Sequence, residues 1–122
     1  MGGNMPTVLA VDDSETMRQM VKMTLQAGNY QVVLAVDGED GLKQFTSRTD
    51  IDLVITDINM PKMDGIGLIR EIRARNKDVP ILALTTESED GMRKKGAEAG
   101  ANGWLVKPFK PAQFIDVVRQ II

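Results

Sequence analysis

Two residue types are missing altogether: the chain has no histidine and no cysteine. Without histidine, no His-based catalytic triad, imidazole metal site or phosphohistidine can form within it. Without cysteine, a disulfide framework and thiol catalysis are excluded, and a cytoplasmic location is the expectation. Aromatic residues are scarce, with three Phe, one Tyr and a single Trp. No apolar run approaches the ~20 residues of a membrane-spanning helix, so membrane insertion is not expected. The opening MGGNMPT has neither the basic nor the apolar stretch of a secretion signal, and residues 1–6 read as a short N-terminal lead. Nor is charge of one sign in excess: 15 Lys and Arg against 17 Asp and Glu leave a net charge of −2. No global basic field therefore directs the chain to nucleic acid.

What remains is an ordinary globular composition, 43% hydrophobic and 26% charged over 122 residues, the size of one domain. That domain is expected to occupy residues 7–122. Short β-branched runs alternate with helix-length segments. The strand candidates are Thr7–Val11, Gln31–Val36, Asp52–Thr56, Pro80–Thr85 and Gly103–Val106. Helices are predicted near 15–27, 39–48, 65–75, 88–99 and 111–122. Ser14 and Asp64 are candidate N-caps, Gly28 a helix stop and Pro111 a first helical residue. In the last helix Phe114, Val117, Val118, Ile121 and Ile122 form one apolar stripe. The fourth helix is the weakest, because Gly91 and Gly96 lie inside it and each costs about 1 kcal/mol relative to Ala. Met17, Met20, Met23, Met60, Met63 and Met92 read as gap-filling core or loop residues. Strict β-α alternation predicts an α/β fold, a doubly wound parallel sheet with helices on both faces and right-handed crossovers. Ligands of such sheets bind at the carboxyl ends of the strands.

Those ends carry a consistent chemistry. Asp12 and Asp13 follow the first strand, Asp57 the third, Thr85 and Thr86 the fourth, and Lys107 and Pro108 the fifth. Taken singly, each has a bland reading: a helix cap, a turn residue, a strand end, a solvated charge. Four strand ends delivering three acids, a hydroxyl and a lysine together is a different matter. Two carboxylates about 5 Å apart repel by ~3 kcal/mol at an effective dielectric near 20. A hard cation with oxygen ligands offsets this, and few ligands with retained waters favour Mg²⁺ over Ca²⁺. No EF-hand loop is present, since Leu42 stands where the sixth-position glycine of a loop beginning at Asp37 should be. The cation would let a phosphoryl group approach, Lys107 and the Thr85 hydroxyl would hold its oxygens, and aspartate is a known phosphoryl nucleophile.

The segments VDDSETM, VITDINMPKMDG, LALTT and GANGWLVKPF resemble the signature segments of the response-regulator receiver domain, and the likeness spans nearly the whole chain. It is closest to the single-domain chemotaxis kind. The resemblance implies a flavodoxin-like, CheY-like (βα)5 fold with a five-stranded parallel sheet of strand order 2-1-3-4-5. It implies that Asp57 is the phospho-acceptor. The metal would be held by Asp57, by Asp13 directly, by Asp12 through water and by the backbone carbonyl of Asn59. Lys107 would pair with the phosphoryl group, and the Lys107–Pro108 peptide would be cis. Thr85 and Trp104 would relay the switch, with Trp104 in place of the usual Tyr or Phe. Asn59, Thr86 and Glu87 would tune the phosphoryl lifetime.

The phosphoryl donor would then be a histidine kinase. The target would be a protein docking on the face of helix 4, strand 5 and helix 5, with the flagellar motor switch as the implied example and a phosphatase as a further partner. The chain is expected to be a monomer and a switch, not an enzyme beyond assisting its own phosphorylation and dephosphorylation. Two rivals fit less well. A Mg²⁺-dependent phosphohydrolase with an aspartate nucleophile would place an acid two residues after Asp57, where Asn59 stands. A flavin carrier would need a neutral hydroxyl-rich phosphate loop after the first strand, where the acidic Asp12-Asp13-Ser14 stands. A receiver acting as a phosphate sink, or one belonging to a longer regulator, is left open by the residues.

Overall fold

Short continuous apolar runs become strands where both faces of a parallel sheet are covered, and five such runs do so here. The computed structural model describes residues 5–60, 62–86 and 90–122, without the side chains of 90–93. In chain order the elements are β1 (Thr7–Val11), α1 (Glu15–Ala27), β2 (Gln31–Ala35), α2 (Gly38–Thr46), β3 (Ile51–Asp57), α3 (Gly65–Arg75), β4 (Ile81–Thr85), α4 (Asp90–Ala99), β5 (Gly103–Val106) and α5 (Pro111–Ile121). All pairings are parallel, and the spatial order is β2-β1-β3-β4-β5. The sheet is doubly wound, as the alternation predicts.

Because side chains alternate across a strand, the sheet feeds two separate cores. On one face Leu9, Val11, Val54, Ile81 and Ala83 pack with Phe45 of α2, Leu68, Ile69 and Ile72 of α3, and Ala99 of α4. On the other, Val8, Ala10, Leu53, Ile55, Leu82, Leu84 and Leu105 pack with Val21 and Leu25 of α1 and with Phe114 and Val118 of α5. Most of these side chains are wholly buried. Truncating one such as Leu25 or Phe114 to Ala would cost about 2–5 kcal/mol, a large share of a domain's stability.

The helix ends follow local chemistry. The Ser14 hydroxyl accepts from Met17 N at 3.2 Å, and the Asp64 carboxylate accepts from Gly67 N at 2.8 Å. Each satisfies an otherwise unpaired first-turn donor. Pro111 opens α5. α2 begins one residue earlier than predicted, at Gly38, because Asp37 is its cap and accepts from Asp40 N at 2.8 Å. β3 is longer than predicted by one residue at each end. Its ladder continues past Thr56, with Asp57 paired to Leu84 and Ile58 N donating to Leu84 O at 3.0 Å. Ile122 is exposed, although the apolar stripe includes it, since α5 ends at Ile121 and no further turn covers the last residue. Of the methionines, Met17, Met20, Met60 and Met63 pack against the cores. Met23 is a surface residue, 67% exposed. The Met92 side chain and residues 88–89 of the predicted fourth helix lie outside the described residues.

Arg73 of α3 reaches across to the α4–β5 turn, donating from Nε to Gly100 O at 3.0 Å and from Nη2 to Asn102 Oδ1 at 2.7 Å. At the edge where the strands begin, Met5 and Pro6 before β1 and Ile122 after α5 line one surface hollow with Asp52 and Pro80.

Candidate functional site: an acidic cluster at the strand ends

β1 and β3 are neighbours at the centre of the sheet, so the residues that end them are brought together by the ladder itself. Carboxylate oxygens of Asp12, Asp13 and Asp57 lie within 4.8 Å of one another. Asp12 and Asp57 are buried, whereas Asp13 is exposed at the mouth. From the end of β5 the Lys107 ammonium enters between the two buried acids, 3.0 Å from Asp12 Oδ2 and 3.3 Å from Asp57 Oδ1. The remaining Asp12 oxygen accepts from Ser14 N at 2.9 Å, and Asp57 Oδ1 also accepts from Ile58 N at 2.9 Å. Three acids and one cation leave the pocket with an excess negative charge. Burial, with the neighbouring Asp12 charge adding to it, pushes the Asp57 carboxyl above the usual carboxylate range, against the pull of Lys107.

Lys107 is held by its backbone as well. Its N–H donates to Thr85 O at 2.7 Å, the Lys107–Pro108 peptide is cis, and Phe109 stacks on Phe114 with ring centroids 5.4 Å apart. Thr85 is the last residue of β4 and wholly buried. Ala83 pairs with Trp104 and Thr85 with Val106 across β4 and β5. Residues two apart share a face, so Thr85 and Trp104 project from the same side of the sheet as diagonal neighbours. That side is the one covered by α2, α3 and α4. Trp104 is thus not part of the acidic cluster. It packs toward α4, partly buried.

The rim is formed by loops. Asn59 lies in the β3–α3 loop, two residues past the end of β3, and Thr86 follows β4, and both are exposed. Glu87 lies outside the described residues. Glycine is required at position 65, where α3 starts hard against the end of β3: a Cβ there would stand 2.2 Å from Asp57 O and 2.7 Å from Ile58 Cα. Two supports were not legible in the sequence. Arg18 Nη1 donates to Asp12 O at 2.7 Å, tying α1 to the turn that carries Asp12 and Asp13. Asp37 lies 3.8 Å from the Lys62 ammonium, an ion pair between α2's cap and the β3–α3 loop. Arg18 is the first basic residue of α1; that position is a weak signal, since helices carry many such arginines.

The donor set is all oxygen and hard, which suits Mg²⁺ and not a soft or imidazole-seeking metal. A buried carboxylate pair beside a lysine also suits a group that is itself anionic once a cation offsets the acids.

The sequence profile of the response regulator receiver domain matches residues 8–119, and the chain belongs to that family. Among its relatives is the chemotaxis protein CheY1 of Helicobacter pylori, 39% identical over 107 residues that cover 85% of this chain and 86% of that one. The solved structure of the chemotaxis response regulator CheY4 of Vibrio cholerae is similar with a TM-score of 0.92 at 40% identity, covering 98% of this chain and 100% of that chain. The response regulator TrrA of Thermotoga maritima, solved in complex with Mg²⁺-BeF, gives a TM-score of 0.88 at 35% identity, covering 97% and 100%.

Proposed function

We propose that the chain is a phosphorylation-activated signalling switch of a two-component system, that it acts in chemotaxis, and that Asp57 accepts the phosphoryl group. The observation that carries this reading is the Lys107 ammonium set between two buried carboxylates, 3.0 Å from Asp12 and 3.3 Å from Asp57, at the carboxyl edge of a receiver-type sheet. Asp12, Asp13 and Asp57, with the Asn59 backbone carbonyl, would hold Mg²⁺. When bound, that ion offsets the acid charge and draws off negative charge from the phosphoryl oxygens.

The protein's own part is mostly positioning. A carboxylate oxygen of Asp57 attacks phosphorus of the donor's phosphohistidine. The new O–P bond makes an acyl phosphate, the N–P bond breaks, and the electron pair leaves with the imidazole, which takes up a proton. Lys107 is already within ion-pair reach of the Asp57 carboxylate and pairs with the anionic group formed there. The Thr85 hydroxyl serves the same group, and its displacement reaches Trp104 along the shared face. Output is a changed protein-binding surface of α4, β5 and α5, with the flagellar motor switch as target and a phosphatase as a second partner. A histidine kinase in trans fits a chain that has no histidine of its own.

Incubation with Mg²⁺ and acetyl phosphate tests the acceptor. Intact mass is expected to rise by one phosphoryl group in the wild type and not in Asp57→Asn. Phosphorylation of that variant at the wild-type rate sinks the assignment.

A further inference from the structure

The fourth helix contains an anomaly that neither the core nor the acidic cluster explains. Glycine is the poorest helix former after proline, yet Gly96 sits inside α4 on its buried face, together with Ala99, while Lys94, Lys95, Ala97 and Glu98 are exposed. What lies over Gly96 is the six-membered ring of Trp104. A Cβ at position 96 would stand 2.5 Å from Trp104 Cζ3 and 3.0 Å from Cε3. Side-chain carbons do not approach so closely, so either the ring or the helix would have to move. The indole is also incompletely satisfied in this seat: Nε1 is buried and has no hydrogen-bond partner among the described residues, which burdens the seated arrangement with the cost of a desolvated donor. Beside the ring a surface hollow of about 360 Å³, lined by Ala97, Ala101, Asn102, Gly103 and Trp104 itself, offers the space a displaced indole would need.

We propose that Gly96 is a positioning residue of the switch: a bare seat in α4 that lets the Trp104 ring lie on the helix, so that the size of residue 96 sets the balance between a seated and a displaced ring. The coupling of this seat to Asp57 rests on the switch reading given above; the seat itself does not. An ill-satisfied seat with open space beside it is a two-state element whose arrangements differ little in free energy. A ligand at the phosphorylation site that favours either arrangement shifts the balance, and residue 96 reciprocally alters that ligand's affinity.

The test uses the full chain as wild type, Gly96→Ala, Trp104→Phe and the double variant. Trp104 is the sole tryptophan, so acrylamide quenching reports its exposure directly. Gly96→Ala is expected to raise the quenching constant at least twofold. In thermal melts Gly96→Ala is expected to lower the melting temperature in the wild type. It should raise it in the Trp104→Phe background, where the fused benzo ring of the indole, whose Cζ3 and Cε3 meet position 96, is gone and only the gain in helix propensity remains. Beryllofluoride with Mg²⁺, titrated by its effect on melting, gives the coupling. Its half-saturating concentration is expected to change at least threefold in Gly96→Ala, and to be unaltered by the same change in Trp104→Phe. A purely structural glycine would move the melting temperature but not this concentration.

If Gly96→Ala quenches like wild type, or stabilises the protein with Trp104 present, the seat is refuted. A wild type that responds to beryllofluoride with an unaltered Gly96→Ala titration refutes the coupling alone. A wild type with no response to beryllofluoride refutes the switch reading and the coupling together, and leaves the quenching and melting results to judge the seat.

Discussion

Replacing Asp57 by Asn is expected to make the metal-free protein more stable, and the structure gives the size of the effect. The charges around Asp57 nearly cancel. Repulsion from Asp12, at an oxygen separation of up to 4.8 Å, is at least about 3.5 kcal/mol at an effective dielectric of 20. Attraction to Lys107 at 3.3 Å is about 5 kcal/mol on the same scale. Exposed Asp13 adds about 1 kcal/mol of repulsion through near-bulk solvent. What is left is the cost of burying a carboxylate, which an isosteric amide avoids while still accepting from Ile58 N. We expect a gain of about 1–2 kcal/mol, or roughly 3–10 °C in melting temperature for a chain of this length.

The pH dependence fixes the cause. Burial raises the folded-state pKa of Asp57, so the folded protein keeps that proton longer than the unfolded chain does. Below the ordinary carboxylate pKa of about 3.9 the two proteins should be equally stable with respect to this group. The wild type should then lose ground as pH rises through the raised folded value, and the variant's advantage should be complete above it. Urea or thermal melts of both proteins in chelator, from acid to neutral pH, measure the difference. A variant that melts at or below wild type at neutral pH, or a difference that does not vary with pH, would refute the reasoning.

Mg²⁺ should stabilise the wild type by about 2.7 kcal/mol at a hundredfold excess over its dissociation constant, so that its melting temperature rises with Mg²⁺ concentration. Asp13→Ala should melt higher than wild type without metal and lose the Mg²⁺ response; a wild-type melt that ignores Mg²⁺ would count against a metal pocket. Thr85→Ala should blunt the change in Trp104 emission that beryllofluoride produces, and an equal response would break the proposed relay. Thr86→Ala should speed loss of the phosphoryl group from purified phosphoprotein and Asn59→Met should slow it, both followed by quenched time points; slower decay in Thr86→Ala would show that Thr86 assists hydrolysis instead of crowding it. Lys62 has a left-handed backbone, with φ at 67°, and its ion pair to the buried Asp37 is long, with the ammonium end exposed. Lys62→Gly should therefore stabilise the chain by up to about 1 kcal/mol, and a lower melting temperature would mean that the ion pair outweighs the strain.

The sheet was legible because each strand is a short apolar run, fully buried in β1 and β4 and nearly so in β3, and its ends are marked by the acids, Thr85 and Lys107. Boundaries were less so. Whether β3 stops at Thr56 or includes Asp57 depends on a bond from Ile58 N to Leu84 O, a partner 26 residues away in sequence that no local pattern announces. The start of α2 at Gly38 turned on the Asp37 cap outweighing glycine's poor propensity. Contacts by long side chains were opaque for the same reason. Arg18 finds the Asp12 carbonyl, and Arg73 finds Gly100 and Asn102, through three-dimensional proximity alone. Gly96 showed in the sequence only as a weakness of the fourth helix; its reason, the Trp104 ring, became visible once β5 was laid beside α4.

The hollow that Met5, Pro6 and Ile122 share at the edge where the strands begin has a practical side. The acids sit at the opposite edge, a five-residue strand away, roughly 16 Å along the sheet. A fluorescent probe or a solid support attached at Met5 or Ile122 is therefore held on the far side of the sheet from Asp57 and Lys107. Forms immobilised or labelled through Met5 or Ile122 should take up acetyl phosphate as the free protein does.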